Sequence, residues 1–354
     1  MARARERRKK KAWSLWTERR VPSEYEAVSH KVNYNFRNSP APFELDSEAP
    51  LNRWYLKYRE GSSFQVDDWE DFRDPKRLTY RDYVHLQKER EVYLENLIDE
   101  FERKDHYAKL SKDWTDTLEQ IYIPSRFSGH ILQIVGLYMA QMAPAAYITN
   151  VAYFQGADEL RRLQHNAYIT KALSLEGDSQ YLADSERTRK IWEDDPHWQP
   201  LREVLEKLMI AYDWGECFAA LNLVVKPVYD LLYNVQFAQL ASKNGDELLA
   251  LMHHDFNIDN QRFQQWTTEL VNYSIKREAG NRQLLESWIE KWQEPTYRAV
   301  EGLAPLFAKA PQPMNPQEVT ETVRKAHQKF LASLGLDCED RAQSSSEILS
   351  ESRS

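Results

Sequence analysis

Ala157-Asp158-Glu159-Leu160-Arg161-Arg162 closes the most apolar run of the chain. Residues three apart share one face of a helix, so Glu159 and Arg162 point the same way. With His in second place, Glu-x-x-His, this is the spacing by which helices inside a bundle turn two metal ligands inward. Here the second place is Arg162. A guanidinium has no lone pair for a metal and keeps its proton in a protein. The stretch has the spacing of a metal-binding helix and the wrong donor.

The run that leads into it spans about 125–159 and continues to about 175. It includes Ile131, Leu132, Ile134, Val135, Leu137, Met139 and Met142, then Ile148, Val151, Tyr153 and Phe154. It is long enough to cross a membrane. Yet His130, Gln133, Gln141, Pro144, Asn150 and Gln155 are spread through it, and its flanks show no basic asymmetry. The pattern predicts a buried central helix, or two meeting near Pro144. A second long apolar helical segment is predicted over 201–241, broken by Gly245. Amphipathic helices are predicted from about 74 to 105, 111 to 121, 247 to 278 and 284 to 307, with short ones at 185–192 and 318–334.

The 354 residues carry a formal charge of −8 and only 10 glycines, and 42% are hydrophobic. Low glycine with abundant Leu, Ala, Glu, Lys and Arg favours helix throughout. The acidic balance argues against nucleic acid as a partner. Cys217 and Cys338 are far apart in sequence, which predicts no structural disulfide and fits a reducing cytoplasm. No secretory signal is recognisable.

The expected organisation has four parts. Residues 1–12 form a basic disordered N-terminus. Residues 13–75 form an extended arm without regular structure, rich in aromatics and punctuated by Pro22, Pro40, Pro42, Pro50 and Pro75. Rings that cannot make their own core are expected to anchor the arm on another surface, largely another subunit. Trp13, Trp16, Tyr25, Tyr34, Phe36, Trp54, Tyr55 and Tyr58 are the candidate anchors. Residues 76–310 form the helical domain, and 311–354 a partly disordered tail.

Two long apolar helical segments separated by a polar crossover outline an all-α, ferritin-like bundle. The chemistry such a bundle usually hosts is not written in this chain. Glu-x-x-His occurs nowhere. Asp194 and His197 straddle Pro196, and Asp82 with His85 has no second pair on a buried helix. No phosphate-binding glycine loop and no nucleophile elbow is present. The residues alone leave open a non-catalytic subunit, an autonomous ferritin-like oxidase with an unrecognised metal site, and a membrane-anchored protein.

Seven ordered blocks narrow this. They are Pro22-Ser23-Glu24-Tyr25-Glu26, Pro50-Leu51-Asn52-Arg53-Trp54-Tyr55, Leu78-Thr79-Tyr80-Arg81, Met142-Ala143-Pro144-Ala145, Ala157 to Arg161, Asp213-Trp214-Gly215-Glu216 with Leu221 to Pro227, and Trp288-Ile289-Glu290-Lys291-Trp292. Over about 13–305 the chain resembles the β subunit of the hydroxylase component of bacterial multicomponent monooxygenases of the toluene, alkene and isoprene type.

The resemblance implies a ribonucleotide-reductase-like, ferritin-like fold and a non-catalytic, cytoplasmic structural subunit of an (αβγ)2 hydroxylase. The α subunit would carry the di-iron centre that oxidises an aromatic or alkene hydrocarbon. This chain would hold no cofactor. The expected partners are the α and γ subunits, the second αβγ protomer, a regulatory protein, a ferredoxin, and a reductase that brings electrons from NADH through FAD and iron–sulfur clusters. Nucleic acid and membrane are not expected. Carried over residue by residue, Glu159 and Arg162 match the first Glu-x-x-His, Glu216 the lone Glu of the next core helix, and Asp259 and Arg262 the second Glu-x-x-His. Acid–Arg ion pairs would then stand where a metal would otherwise crosslink the helices.

Overall fold

The computed structural model describes residues 23–29 and 50–336, and every regular element among them is helical. The first two helices are α1 (Glu24–Ser29) and α2 (Pro50–Tyr55), the latter continued by a π-helical turn, Leu56–Glu60. Next come α3 (Tyr80–Glu102), α4 (His106–Lys109), α5 (Lys112–Ile121), α6 (Ser125–Met142) and α7 (Ala146–Leu173). The polar crossover carries α8 (Ser185–Asp194) and leads to α9 (Gln199–Met209). A composite helix follows: α10 (Trp214–Phe218), a π segment (Ala219–Val225), α11 (Lys226–Asp230), a second π segment (Leu231–Phe237) and α12 (Ala238–Lys243). The last three are α13 (Glu247–Arg277), α14 (Gly280–Phe307) and α15 (Pro316–Ser333).

Local chemistry sets the boundaries. Thr79 and Asp82 form a capping box that starts α3. Ser111 caps α5 and Asp246 caps α13. The apolar run divides at Ala143–Ala145, around Pro144, as its sequence predicts. The single segment predicted over 201–241 is instead two. The Asp213 carboxylate accepts from the N–H groups of Gly215 (2.9 Å) and Glu216 (3.0 Å), so a new helix begins there.

Two other expectations change. The arm is not irregular throughout, because Glu24–Ser29 and Pro50–Glu60 are helical. The region beyond 311 also contributes to the body. Val319, Val323, Leu331 and Leu336 of the α15 region are buried, and His327 is wholly enclosed. His327 Nε2 donates to the Leu223 carbonyl in the first π segment (2.7 Å), and its Nδ1 accepts from the Tyr297 hydroxyl (2.8 Å). Burial lowers its pKa to about 4, so it is neutral in this role.

The core is continuous and takes in many of the tryptophans. Trp114, Trp198, Trp214 and Trp266 are fully buried. Helices α6 and α7 run close together because glycine faces glycine where they cross. A Cβ on Gly136 would lie 3.6 Å from the Gly156 Cα, and one on Gly156 would meet Leu137 Cδ2 at 2.7 Å. The segment after α2 is clamped onto the start of α10. Ser62 Oγ donates to Asp213 (2.8 Å), and a Cβ on Gly215 would lie 2.4 Å from the Phe64 Cβ.

Gly215→Ala should therefore destabilise the chain by about 1–3 kcal/mol through overpacking. Gly129→Ala, where a Cβ meets nothing within 4 Å, should be neutral or slightly stabilising. Thermal melts of the two variants check this, and equal behaviour would contradict the clamp.

Candidate functional site

Helix α7 lies between α3 and α13 on one side and α11 on the other, and its charged stretch serves both. Successive helical residues point about 100° apart, so Asp158 and Arg161 face α3 and α13 while Glu159 and Arg162 face α11. The result is a buried charge network in two halves.

The first half joins α7 to the composite helix. Arg162 bonds Glu159 at 3.3 Å, Asp230 at 2.6 Å and the Asn234 side-chain oxygen at 2.8 Å. Lys226 bonds Asp230 at 2.8 Å and also pairs with Glu159. His253 from α13 meets the Asn234 oxygen at 3.1 Å. Two carboxylates thus face two cations, and all four side chains are at most 10% exposed. Burial alone would push the Lys226 ammonium down, but Asp230 and Glu159 hold it above the usual lysine range. Arg162 is likewise held up against burial by Glu159 and Asp230. Burial would raise Asp230, yet Lys226 and Arg162 keep it below the ordinary carboxylate range.

The second half joins α7 to α13 and α3 by reciprocal pairing. Arg161 bonds Asp255 (2.8 Å) and Asp259 (2.9 Å) and pairs with Glu91. In return Arg262 pairs with Asp158 and bonds Asp259 at 3.2 Å. Gln87 bridges Asp158 (2.8 Å) and Asp259 (3.0 Å), and the Tyr83 hydroxyl donates to Asp158 at 2.9 Å. Arg90 pairs with Asp255, and His165 meets Glu91 at 3.1 Å. Burial and the neighbouring Asp259 push Asp158 up to about 7, with Arg262 and Tyr83 pulling the other way. Burial opposes it, but His165 and Arg161 bring Glu91 down to about 2.

Glu159, Arg162, Asp259 and Arg262 thus all enter one network. Glu216 does not. It sits in the first turn of α10, half-buried, where its Oε1 accepts from Lys291 Nζ (2.6 Å) and Trp292 Nε1 (3.0 Å) of α14. The place opposite Glu159 belongs to Lys226 and Asp230. Their i, i+4 spacing inside an otherwise apolar run is the sequence signal that would have found them. Arg161 and Asp255 could have been found from the same kind of signal, charges on helix faces that are otherwise buried.

These residues do not fit a di-iron pair. Guanidinium groups hold the second place of both acid-x-x-His positions, and an ammonium lies between Glu159 and Asp230. Among the described residues no three or more His, Cys, Asp or Glu side chains are placed to hold a metal ion. The gap among Glu159, Arg162, Lys226 and Asp259 has room for roughly one water. What the arrangement can do is crosslink four helices.

Of the candidate anchors, Trp13, Trp16, Tyr34 and Phe36 lie outside the described residues. Tyr25 is buried in this chain's own core, 5.4 Å ring to ring from Tyr147. Trp54 donates to the Tyr138 hydroxyl (3.0 Å) and packs on Tyr58 and Tyr212, and Arg59 covers Tyr55. Trp54, Tyr55 and Tyr58 are half-buried on the chain's own body and keep only part of their surface free.

Removing one partner from a buried ion pair leaves an uncompensated charge. Arg162→Ala should cost about 3–5 kcal/mol in a denaturant melt, and Glu216→Ala much less, because Glu216 is half-buried and its partner Lys291 is exposed. The Glu91 carboxyl is lowered from 4.5 to about 2. Its stabilisation is complete above pH 4.5 and is lost as pH falls towards 2. Glu91→Gln should therefore flatten the acid limb of the stability curve. An unchanged limb would contradict the pairing.

Residues 54–278 match the methane/phenol/alkene hydroxylase family model. The β subunit of the toluene-4-monooxygenase hydroxylase component of Ectopseudomonas mendocina is 39% identical over 84% of this chain and 90% of that one. The phenol 2-monooxygenase oxygenase component DmpL of a Pseudomonas species is 25% identical over 70% and 73%. A solved chain of toluene 4-monooxygenase, with toluene in its resting active site, superposes with a TM-score of 0.78 at 38% identity, covering 85% of this chain and 98% of that one. The chain belongs to the methane/phenol/alkene hydroxylase family and is part of a monooxygenase hydroxylase component.

Proposed function

We propose that this chain is the non-catalytic β subunit of a multicomponent monooxygenase hydroxylase, and that it builds and holds the complex in which an α subunit oxidises the hydrocarbon. The observation that carries this reading is the Arg162–Glu159–Lys226–Asp230 cluster. Cations fill the interior positions that metal ligands would need, so the bundle is crosslinked by charge. Likeness to a relative named as a β subunit supports the same role.

The di-iron centre belongs to the α subunit in this reading, and a γ subunit and second protomer complete an (αβγ)2 assembly. Electrons from NADH reach it through a reductase with FAD and iron–sulfur clusters and a ferredoxin, and a regulatory protein docks on the whole. An aromatic or alkene hydrocarbon is the substrate class, as the toluene and phenol in the relatives' names suggest. The arm, residues 13–75, spends a share of its rings on another subunit, Trp13, Trp16, Tyr34 and Phe36 among them. The complex works in the cytoplasm. No helix among the described residues is long and apolar enough to cross a membrane.

Iron analysis separates this reading from an autonomous oxidase. The purified chain alone should hold essentially no iron after loading with ferrous ion under air exclusion. The complex co-expressed with its partner subunits should hold iron and oxidise the hydrocarbon. Stoichiometric iron on the isolated chain would overturn the assignment.

A further inference from the structure

His253 of α13 is buried among the rings of Tyr122, Phe237 and Phe256. Its two ring nitrogens have different surroundings. Nδ1 lies 3.1 Å from the Asn234 side-chain oxygen. That oxygen already accepts from Arg162 (2.8 Å), so it is the carbonyl end of the amide and has no proton to give. Nδ1 therefore carries the proton of this bond. Burial, with the Arg162 guanidinium adding to it, holds the His253 pKa well below the usual histidine range, so the ring keeps one proton only. Nε2 is left as a bare lone pair, buried and without a partner.

Asn166 of α7 presents a second such atom. Its Nδ2 donates to the Tyr122 carbonyl (2.9 Å) and to the Ser125 hydroxyl (3.2 Å), which fixes the other end of the amide as the oxygen. That oxygen, Oδ1, is buried and has no partner. His253 and Asn166 are 3% and 4% exposed, so bulk solvent does not serve either. Both line one cavity, beside Gly129, Arg162 and Tyr229, with room for roughly one water. The α6 wall of that cavity is open at Gly129, which is buried although a Cβ there would meet nothing within 4 Å. The two orphaned acceptors decide what the cavity can hold. An anion would face two lone pairs. A cation would lie beside the Arg162 guanidinium. An apolar guest would leave both acceptors unsatisfied. Water is neutral, is of the right size, and has two hydrogens to give.

We infer that this cavity is a binding site for a single water molecule, which donates one hydrogen to His253 Nε2 and the other to Asn166 Oδ1. A bridging water is nearly as good as a direct hydrogen bond. This one joins two hydrogen-bonded systems that otherwise end at these atoms. From Arg162 the path runs through Asn234 and His253 to the water. From the water it runs through Asn166 to Ser125 and the Tyr122 carbonyl, in the turn between α5 and α6. The charge network of α7 is thereby tied to a turn that no ion pair reaches, and His253 is held in one tautomer. The site is built from this chain alone and stands whether or not the subunit role does.

The test is a crystal structure of the full chain, alone or in its complex, refined with ordered solvent. One peak should lie within about 2.7–3.2 Å of both His253 Nε2 and Asn166 Oδ1. Nitrogen-15 spectra of histidine-labelled full chain should place the His253 proton on Nδ1 at neutral pH. In crystals of His253→Phe, whose ring accepts nothing, the peak should be lost. No density in the cavity, density that reaches only one of the two atoms, or density with the strength and contacts of an ion would overturn the site. So would a proton on Nε2, which would make that atom a donor. A peak kept in place in His253→Phe would overturn the part given to Nε2. If that variant does not fold, the wild-type density and spectra decide by themselves.

Discussion

The Arg162 guanidinium is permanently charged and lies inside a helical bundle. Everything packed around it answers that constraint. A buried cation without compensation costs several kcal/mol, so Glu159, Asp230 and the Asn234 oxygen surround it, and Lys226 balances the second carboxylate. Those partners come from α7 and the composite helix, which fixes the distance and rotation of the two. Reciprocal pairing of Asp158 with Arg262 and of Arg161 with Asp255 and Asp259 does the same for α7 and α13. Arg90, Glu91, Tyr83 and Gln87 bring α3 into register. Apolar packing tolerates sliding by small amounts, whereas hydrogen-bonded ion pairs do not. The network specifies which arrangement of helices is native more than it adds net stability.

Such a frame suits a chain whose outer surface has to match another subunit. The same helix, α7, carries the crosslinks on its inner side and exposes Tyr153, Leu160 and Tyr168 on its outer side. Its position is therefore set from within, while Lys171 is the one charged side chain among its exposed residues. The close approach at Gly136 and Gly156 holds α6 and α7 together as one broad face.

Much of this was legible in the sequence. Periodicity locates the long helices, because each has a continuous apolar stripe, but the first is expected from about residue 74, whereas the Thr79–Asp82 capping box starts it at Tyr80. Spacing alone puts Glu159 and Arg162 on one helix face, and the family resemblance implies the inward-facing ion pair that they form. Lys226 and Asp230 were overlooked because they sit in a run buried on all sides, where amphipathic patterning disappears. Glu216 lies elsewhere because motif order does not fix position along a helix: it sits in the first turn of α10, about 15 Å of helix before Lys226. The split at Ile210–Asp213 escaped notice since the break is made by a capping aspartate with neither Gly nor Pro in it. Leu160 and Tyr168 fit the apolar period yet are exposed, and only the packed structure separates them from the core stripe. Outside the arm, Trp114, Trp198, Trp214 and Trp266 are spent on the chain's own core.

The central claim is that charge occupies the interior where a metal would otherwise crosslink the helices. Anomalous diffraction at the iron edge from crystals of the assembled hydroxylase tests it directly. The account predicts iron peaks only in the partner subunit, with the Arg162 guanidinium and the Lys226 ammonium lying between Glu159 and Asp230. An iron peak within the Glu159–Lys226–Asp230 cluster of this chain would contradict it.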